Sequence, residues 1–232
     1  MNAGTVLLDL DGTLLDSAKG ITEHLSMAMD AVGAGRHPPD TLRSYVGPPF
    51  EAFMPDLGLD PAQILAATAE YRRTYDPLAA SLSQPYPGIP ELLDRLQNCG
   101  IRLAIATSKP ESLARVILSD NGLHIYFDVI GGADHARGRT GKAAVVGSVI
   151  HRLGITPARR EAPSRAVMVG DRLHDVSGAA AHGLETFGVS WGYAEPGELI
   201  AAGAIVVAET PLELGDLLLK RFGVAEVTDR AD

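Results

Sequence analysis

A single cysteine, Cys99, stands in a chain of 232 residues, so no disulfide can close within it and a reducing compartment is the expected setting. Aromatic side chains are scarce, at 5%. With hydrophobic residues at 46%, the core must rest on Ala, Val, Leu and Ile. Positive charge is in deficit: 20 basic residues face 29 acidic ones, for a formal net charge of −9. That argues against a nucleic-acid partner, because gripping a phosphate backbone takes a basic face. It leaves room for a small anion, which needs only a local positive site. No apolar run approaches the ~20 residues that cross a bilayer, and no basic stretch leads into a long apolar one near the first residue. The expectation is a cytoplasmic protein with no membrane partner, a monomer or a homodimer. Neither an internal repeat nor a low-complexity segment is visible.

What is present begins with Thr5 to Leu8, a short apolar run that reads as a buried parallel strand. It breaks into Asp9-Leu10-Asp11-Gly12-Thr13. In an open α/β sheet, ligands bind beyond the carboxyl ends of the strands. Asp9 stands at such an end. Taken alone, it could be a nucleophile, a metal ligand or a turn residue, since Asp-Gly is also a common turn dipeptide.

From Ala18 to about Ala80 the apolar residues recur at helical spacing, among them Ile21, Leu25, Met27, Met29, Val32, Ile64, Leu65, Ala67 and Tyr71. Pro38-Pro39, Gly47-Pro48-Pro49 and Asp60-Pro61 punctuate the helices. Met27, Met29 and Met54 read as packing. Beyond Tyr86-Pro87-Gly88, strands and helices alternate. Strands are expected at 101–107, 127–132, 165–169, 186–189 and 204–208, and helices from Glu91, Ser108, Lys142, Val176 and Leu212. Cys99 sits beside Gly100 at a helix end and reads as packing. Such alternation gives right-handed βαβ units. The fold class is therefore α/β: a Rossmann-like, mainly parallel sheet with helices on both faces, carrying an inserted α-helical cap. The domain reading is 1–17 and 81–232 for the α/β core and 18–80 for the cap. The charged tail after Gly223 is expected to fray.

Several of these strand ends are polar, and together they suit phosphoryl transfer, which needs a nucleophile, neutralised oxygens and a proton for the leaving group. Asp9 can attack phosphorus and Asp11 can serve the leaving oxygen and then water. Asp171, with Asp175 behind it, completes an oxygen-rich place for Mg²⁺. Thr107 and the Ser108 amide lie where a strand passes into a helix, with Ser108 a candidate N-cap and a helix start suited to phosphate oxygens. Lys142 supplies a compact cation able to pair with phosphate and Asp9. Arg137, Arg139 and Lys109 are rival cations.

Asp9-Leu10-Asp11-Gly12-Thr13, Ala106-Thr107-Ser108-Lys109-Pro110, Lys142 and Gly170-Asp171-Arg172-Leu173-His174-Asp175, in that order, resemble the four motifs of the haloacid dehalogenase superfamily. The similarity covers nearly the whole chain and is strongest to the phosphatase branch with a helical cap, of the phosphoglycolate phosphatase and β-phosphoglucomutase kind. The first and fourth motifs carry most of it. The resemblance implies Asp9 as nucleophile and Asp11 as general acid/base. It implies Mg²⁺ held by Asp9, the Asp11 carbonyl and Asp171, with Asp175 in support, and phosphate held by Thr107, Ser108, Lys142 and Gly12. It implies a Mg²⁺-dependent phosphatase of a small phosphorylated metabolite. The alternatives are a phosphomutase that passes the same phosphoryl group to a sugar hydroxyl, a dehalogenase (against which Asp11 speaks) and a regulatory module that binds phosphate compounds without turnover.

Smaller readings complete the expectation. Ser17 caps the first cap helix, Asp16 supports the loop, and Thr13 steadies the turn through its hydroxyl. His174 lies between carboxylates but is read as solvated or supporting, because Mg²⁺ prefers oxygen. Trp191 either lines the site's mouth or covers core. Arg43, Tyr45 and Gly47-Pro48-Pro49 are the cap segments expected to touch substrate.

Overall fold

The opening apolar run folds as strand β1 (Gly4–Leu8), all five residues buried. The structure, a computed structural model, describes residues 3–48, 50–155 and 165–224, the Glu51 side chain excepted. After β1 come β2 (Leu15–Asp16) and helices α1 (Ala18–Ala31), α2 (Pro39–Leu42), α3 (Phe50–Phe53) and α4 (Pro61–Tyr75). Then follow β3 (Gln84–Pro85), α5 (Ile89–Asn98), β4 (Ile101–Pro110), α6 (Glu111–Asp120), β5 (Val129–Ala133) and α7 (Lys142–Arg152). The described chain closes with β6 (Ala166–Gly170), α8 (Leu173–Ala180), β7 (Glu185–Val189), α9 (Glu198–Ala202), β8 (Val206–Ala208) and α10 (Pro211–Phe222).

The main sheet has six strands in the order β5-β4-β1-β6-β7-β8, every pairing parallel. Side chains alternate across it, as pleated backbone requires. Val6 and Leu8 join Leu103, Ile105, Val167 and Val169 on one face, under α5, α6 and α10. Leu7 joins Ala104, Ala106 and Met168 on the other, under α7 and Ala179 of α8. The near-continuous apolar strands follow from having both faces covered.

The helical insertion lies between β2 and β3, which pair antiparallel and tie its two crossings together. Helix α4 begins with a reciprocal cap: Asp60 Oδ1 accepts from the Gln63 amide, and Gln63 Oε1 accepts from the Asp60 amide. Leu25, Met29, Leu42, Met54 and Tyr75 are buried in the same apolar cluster as Val6 and Leu8, so the insertion's core is continuous with one face of the sheet. Met27 departs from the expectation of packing; it is 47% exposed, while Met29 and Met54 are fully buried.

Two boundaries differ from the periodic reading. Strand β4 continues through Ser108 and Lys109 to Pro110, so α6 starts at Glu111 and Ser108 is not its N-cap. Proline disfavours helical backbone in the residue before it, which holds Lys109 extended. Helix α8 begins at Leu173, earlier than Val176, because the Asp175 carboxylate turns back to accept the Arg172 amide at 3.0 Å. The tail expected to fray falls largely on residues 225–232, outside those described.

Candidate active site

The site grows from sheet register. Leu8 pairs with Ile105 on one side and Val169 on the other, so β1, β6 and the regular part of β4, which runs to Ala106, end level. Asp9, Thr107 and Asp171 leave those three neighbouring ends. From β1 the chain builds outward through β4 and β5, then crosses to β6, β7 and β8. This is the switch point at which open α/β sheets form their ligand crevice.

Four side chains from three distant stretches of the sequence meet there. Lys142 Nζ, at the start of α7, stands 2.9 Å from Asp9 Oδ1 and 2.7 Å from Asp175 Oδ1, and donates to the Ala106 carbonyl at 3.1 Å. Asp171 is fully buried; its Oδ1 accepts from the Thr13 hydroxyl at 3.1 Å and its Oδ2 from the Tyr193 amide at 2.8 Å. Thr13 thus steadies a residue just past the end of another strand, not only its own turn. Two glycines make the space. A side chain on Gly12, whose φ is +81°, would run into the Asp171 carboxylate, and one on Gly178 would meet the Lys142 stem.

Burial pushes the Asp9 carboxyl up to about 6; Lys142 pulls it back, while Asp175 and Asp11 push with the burial. Burial also raises Asp171 well above the carboxylate range, helped by the negative charge of Asp175 and Asp9. Lys142 is driven the other way by its own burial, but Asp175 and Asp9 outweigh this and hold it cationic. Oxygens of Asp9, Asp171 and Asp175 lie within 4.8 Å of one another. Three buried carboxylates against one lysine leave the pocket short of positive charge. The donors are all hard oxygens, so the residues fit a divalent cation such as Mg²⁺. Asp175 is already engaged by Lys142 and the Arg172 amide, which suits it to support more than to ligation. His174 is not among the clustered groups; it is half-buried, and burial with the nearby Arg172 charge holds its imidazole below the usual range.

Asp11 faces elsewhere. Its Oδ1 accepts from Ser17 Oγ at 2.6 Å and pairs with Lys109 Nζ at 3.1 Å. Its carboxylate stays out of the acidic cluster, leaving only its backbone for the metal role that the motif resemblance implied. Lys109 in turn donates to Tyr75 Oη of α4 at 3.1 Å. Burial opposes the Lys109 charge, but Asp11 and Tyr75 prevail and hold it cationic. The N-cap expectation for Ser17 fails, since its hydroxyl is spent on Asp11. The Tyr193 phenol caps α1 instead, accepting the Ser17 and Ala18 amides at 2.9 and 3.0 Å. It also reaches Asp16 Oδ1 at 3.4 Å, which ties Asp16 to the same junction.

The rival cations separate by position. Arg137 is exposed and pairs with Asp134 at 2.7 Å, and Arg139 is held by the Gly132 carbonyl and Glu111. Lys142 alone of the four is paired with Asp9. Thr107 is buried at the end of the straight part of β4, its Oγ1 accepting the Lys109 amide at 3.1 Å. Ser108 lines a cleft that also takes in Asp11, Lys109, Tyr45, Gly47, Pro48 and Phe50. The Ser108 amide belongs to extended backbone, not to a helix start as the spacing had suggested. Arg43 is not in that cleft; its guanidinium stacks over the Tyr193 ring at 4.9 Å. Pro49 lies outside the described residues. Trp191 donates to the Thr13 carbonyl at 3.0 Å and packs against the main apolar cluster.

Three residues escaped sequence reasoning. Lys109 was legible only as a loose cation; the signal was that Thr107 and Lys109, two apart on an extended strand, share a face. Tyr193 had no local signal, because both amides that it caps are some 175 residues away in sequence. Arg172 sits within the fourth motif, yet it donates to the Ser44 and Val46 carbonyls of the insertion at 2.8 and 2.7 Å.

A buried nucleophile-type aspartate, a second aspartate set apart from it, a lysine and an acidic pair on a switch-point crevice define a hydrolase class, and comparison with known proteins gives the family. The model of the haloacid dehalogenase-like hydrolases matches residues 6–189, and the chain belongs to that family. It is 42% identical over 188 residues to the tyrosine-protein kinase PtkA of Mycobacterium tuberculosis, an alignment that takes in 81% of this chain but only 62% of that protein's length. It is 31% identical over 188 residues to a phosphoglycolate phosphatase of Aquifex aeolicus, covering 81% of this chain and 85% of that one. The crystal structure of a predicted phosphatase from Clostridium acetobutylicum superposes with a TM-score of 0.87 at 32% identity, over 95% of this chain and all of the other.

Proposed function

We propose that the chain is a Mg²⁺-dependent phosphomonoester hydrolase of a small phosphorylated metabolite, akin to phosphoglycolate phosphatases, working through an aspartyl phosphate on Asp9. The observation that carries this reading is the separation of the two first-motif carboxylates: Asp9 is paired with Lys142 at 2.9 Å, while Asp11 is paired with Lys109 at 3.1 Å. Two carboxylates in different surroundings suit two different tasks. Asp9 attacks phosphorus as the ester P–O bond breaks, and Asp11 gives its proton to the leaving oxygen. Asp11 then takes a proton from water, whose oxygen attacks phosphorus and frees Asp9 with inorganic phosphate. Lys142, Thr107, Ser108 and Gly12 hold the phosphate oxygens. A divalent ion between Asp9, the Asp11 carbonyl and Asp171 would offset the charge that gathers on phosphorus. Residues 18–80 would form a cap domain closing over a core of 1–17 and 81–232 and keeping water out.

The likeness to a protein named a tyrosine kinase favours one second reading, in which a hydroxyl acceptor replaces water at the same intermediate. Release of inorganic phosphate from a panel of phosphate esters, with Mg²⁺ and with chelator, tests the first reading. Turnover by wild type in Mg²⁺, lost in chelator and in Asp9→Asn, is expected. Steady hydrolysis by Asp9→Asn would overturn it; phosphate passed to a hydroxyl without release to water would favour the second.

A further inference from the structure

The chain has one Trp, six Tyr and five Phe. Five of these few rings form one continuous run in the helical insertion. Tyr45 stacks on Phe53 at 4.8 Å, Phe53 meets Phe50 edge-on at 5.7 Å, Phe50 meets Tyr71 at 4.6 Å, and Tyr71 stacks on Tyr75 at 4.9 Å. A core otherwise built of aliphatic residues does not need its rings in one place. Tyr45, Phe50, Tyr71 and Tyr75 line the same cleft as Asp11 and Ser108.

The rings begin next to the acid. Lys109 Nζ lies 3.1 Å from Asp11 and 4.9 Å from the centre of the Tyr75 ring. Tyr75 is itself fully buried with Lys109 over its ring, so the part of the run left to meet a group leaving at Asp11 is Tyr45, Phe50 and Tyr71, which line the same cleft. Lys109 is committed to Asp11 and Tyr75, so it is not a spare cation for a small carboxylate on the leaving group. Arg72 also lines the cleft, but Asp76 beside it carries the opposite charge. The cleft holds about 110 Å³. That is less than the about 150 Å³ of an apolar cavity that takes benzene, so the cleft has room for one ring at most and none for a nucleoside.

Resting on the hydrolase reading above, we infer that the substrate's leaving group carries a single aromatic ring at, or one carbon from, the ester oxygen, as in an aryl or benzylic phosphate such as O-phosphotyrosine. Ring faces and edges in the cleft match the offset and edge-on contacts that aromatic pairs prefer.

Benzyl phosphate and cyclohexylmethyl phosphate test this, because both release a primary alcohol of similar reactivity. A kcat/KM ratio of roughly five to ten in favour of benzyl is expected. Phosphoglycolate should be turned over less efficiently than benzyl phosphate. In Phe50→Leu and Tyr71→Leu, which keep an apolar side chain in the wall, the ratio should fall to about two or below. A second readout needs no turnover: benzylphosphonate should bind Asp9→Asn at least about fivefold tighter than ethylphosphonate. Hydrolysis of the panel with no preference for the ring would overturn this inference and leave the phosphatase reading standing. Ring-selective phosphonate binding with no ester hydrolysed would support the aromatic site and overturn the hydrolase reading.

Discussion

Replacing Asp9 by Asn should abolish turnover and at the same time stabilise the metal-free protein. The argument starts from burial. Asp9 is 5% exposed, and its carboxyl is pushed up to about 6 from the model-compound value of 3.8. The sign follows from proton linkage. A carboxyl with a higher pKa in the folded state binds more protons when folded, so stability falls as pH rises from about 4 through about 6. Two pKa units at 1.36 kcal/mol each set an upper bound of roughly 3 kcal/mol above that window. Asn is never charged and escapes the penalty. Lys142 loses one ion partner but keeps Asp175 at 2.7 Å and the Ala106 carbonyl at 3.1 Å. A net gain of about 1–3 kcal/mol near pH 7.5 is expected, with almost none near pH 4. For a chain of this size that is about 2–10 °C in Tm. Thermal or urea unfolding in chelator across pH 4–8 checks it. Added Mg²⁺ should narrow the gap, because the ion stabilises the ionised wild type by mass action. Parallel stability curves for the two proteins across that range would refute the reasoning.

Lys142→Met leaves Asp9 and Asp175 buried with no lysine between them, and should cost about 3–5 kcal/mol at neutral pH, less at pH 5, read from urea midpoints; a loss under about 1 kcal/mol would count against the buried cluster. Tyr193→Phe removes the acceptor of the Ser17 and Ala18 amides and should destabilise by about 1–3 kcal/mol with the sheet intact by circular dichroism; an unchanged midpoint would dismiss its role as the α1 cap. Asp11→Asn should slow hydrolysis by about 100-fold or more, and more for alkyl than for activated aryl esters, since a poor leaving group depends on the acid. Equal losses for both classes would remove Asp11 from that role.

Much of this arrangement was legible in residue order. The apolar run ending in Asp9, the alternation of strand and helix beyond Tyr86, and the acidic loop from Asp171 to Asp175 are local patterns. Local patterns survive because a buried parallel strand must be apolar throughout and a helix must repeat near 3.6 residues. Lys142 was also readable, as the lysine opening a helix after a strand and loop. Other features had no local trace. β2 and β3 are two residues each and about 70 apart, too short for a periodic signal. The extension of β4 through Lys109 was hidden by a Ser-Lys-Pro sequence that reads equally well as a helix start. Nor did Arg43, read as one of the cap segments that touch substrate, carry any local sign that its guanidinium stands outside the ring-lined cleft and over the Tyr193 ring.

By itself the sequence determined the α/β class, the helical insertion and the residue types offered for chemistry, since each depends on neighbours within a few positions along the backbone. Only the tertiary structure decided which side chain faces which. It gave Lys142 to Asp9 and Lys109 to Asp11, spent Ser17 on a carboxylate, assigned the cap of α1 to Tyr193 and joined five rings in one run, four of them along one cleft. Those partnerships are set by sheet register and by the close approach of elements up to 178 residues apart, as between Trp191 and the Thr13 carbonyl. A pairing across such a span depends on where the strands lie beside one another, and no window of residues encodes it.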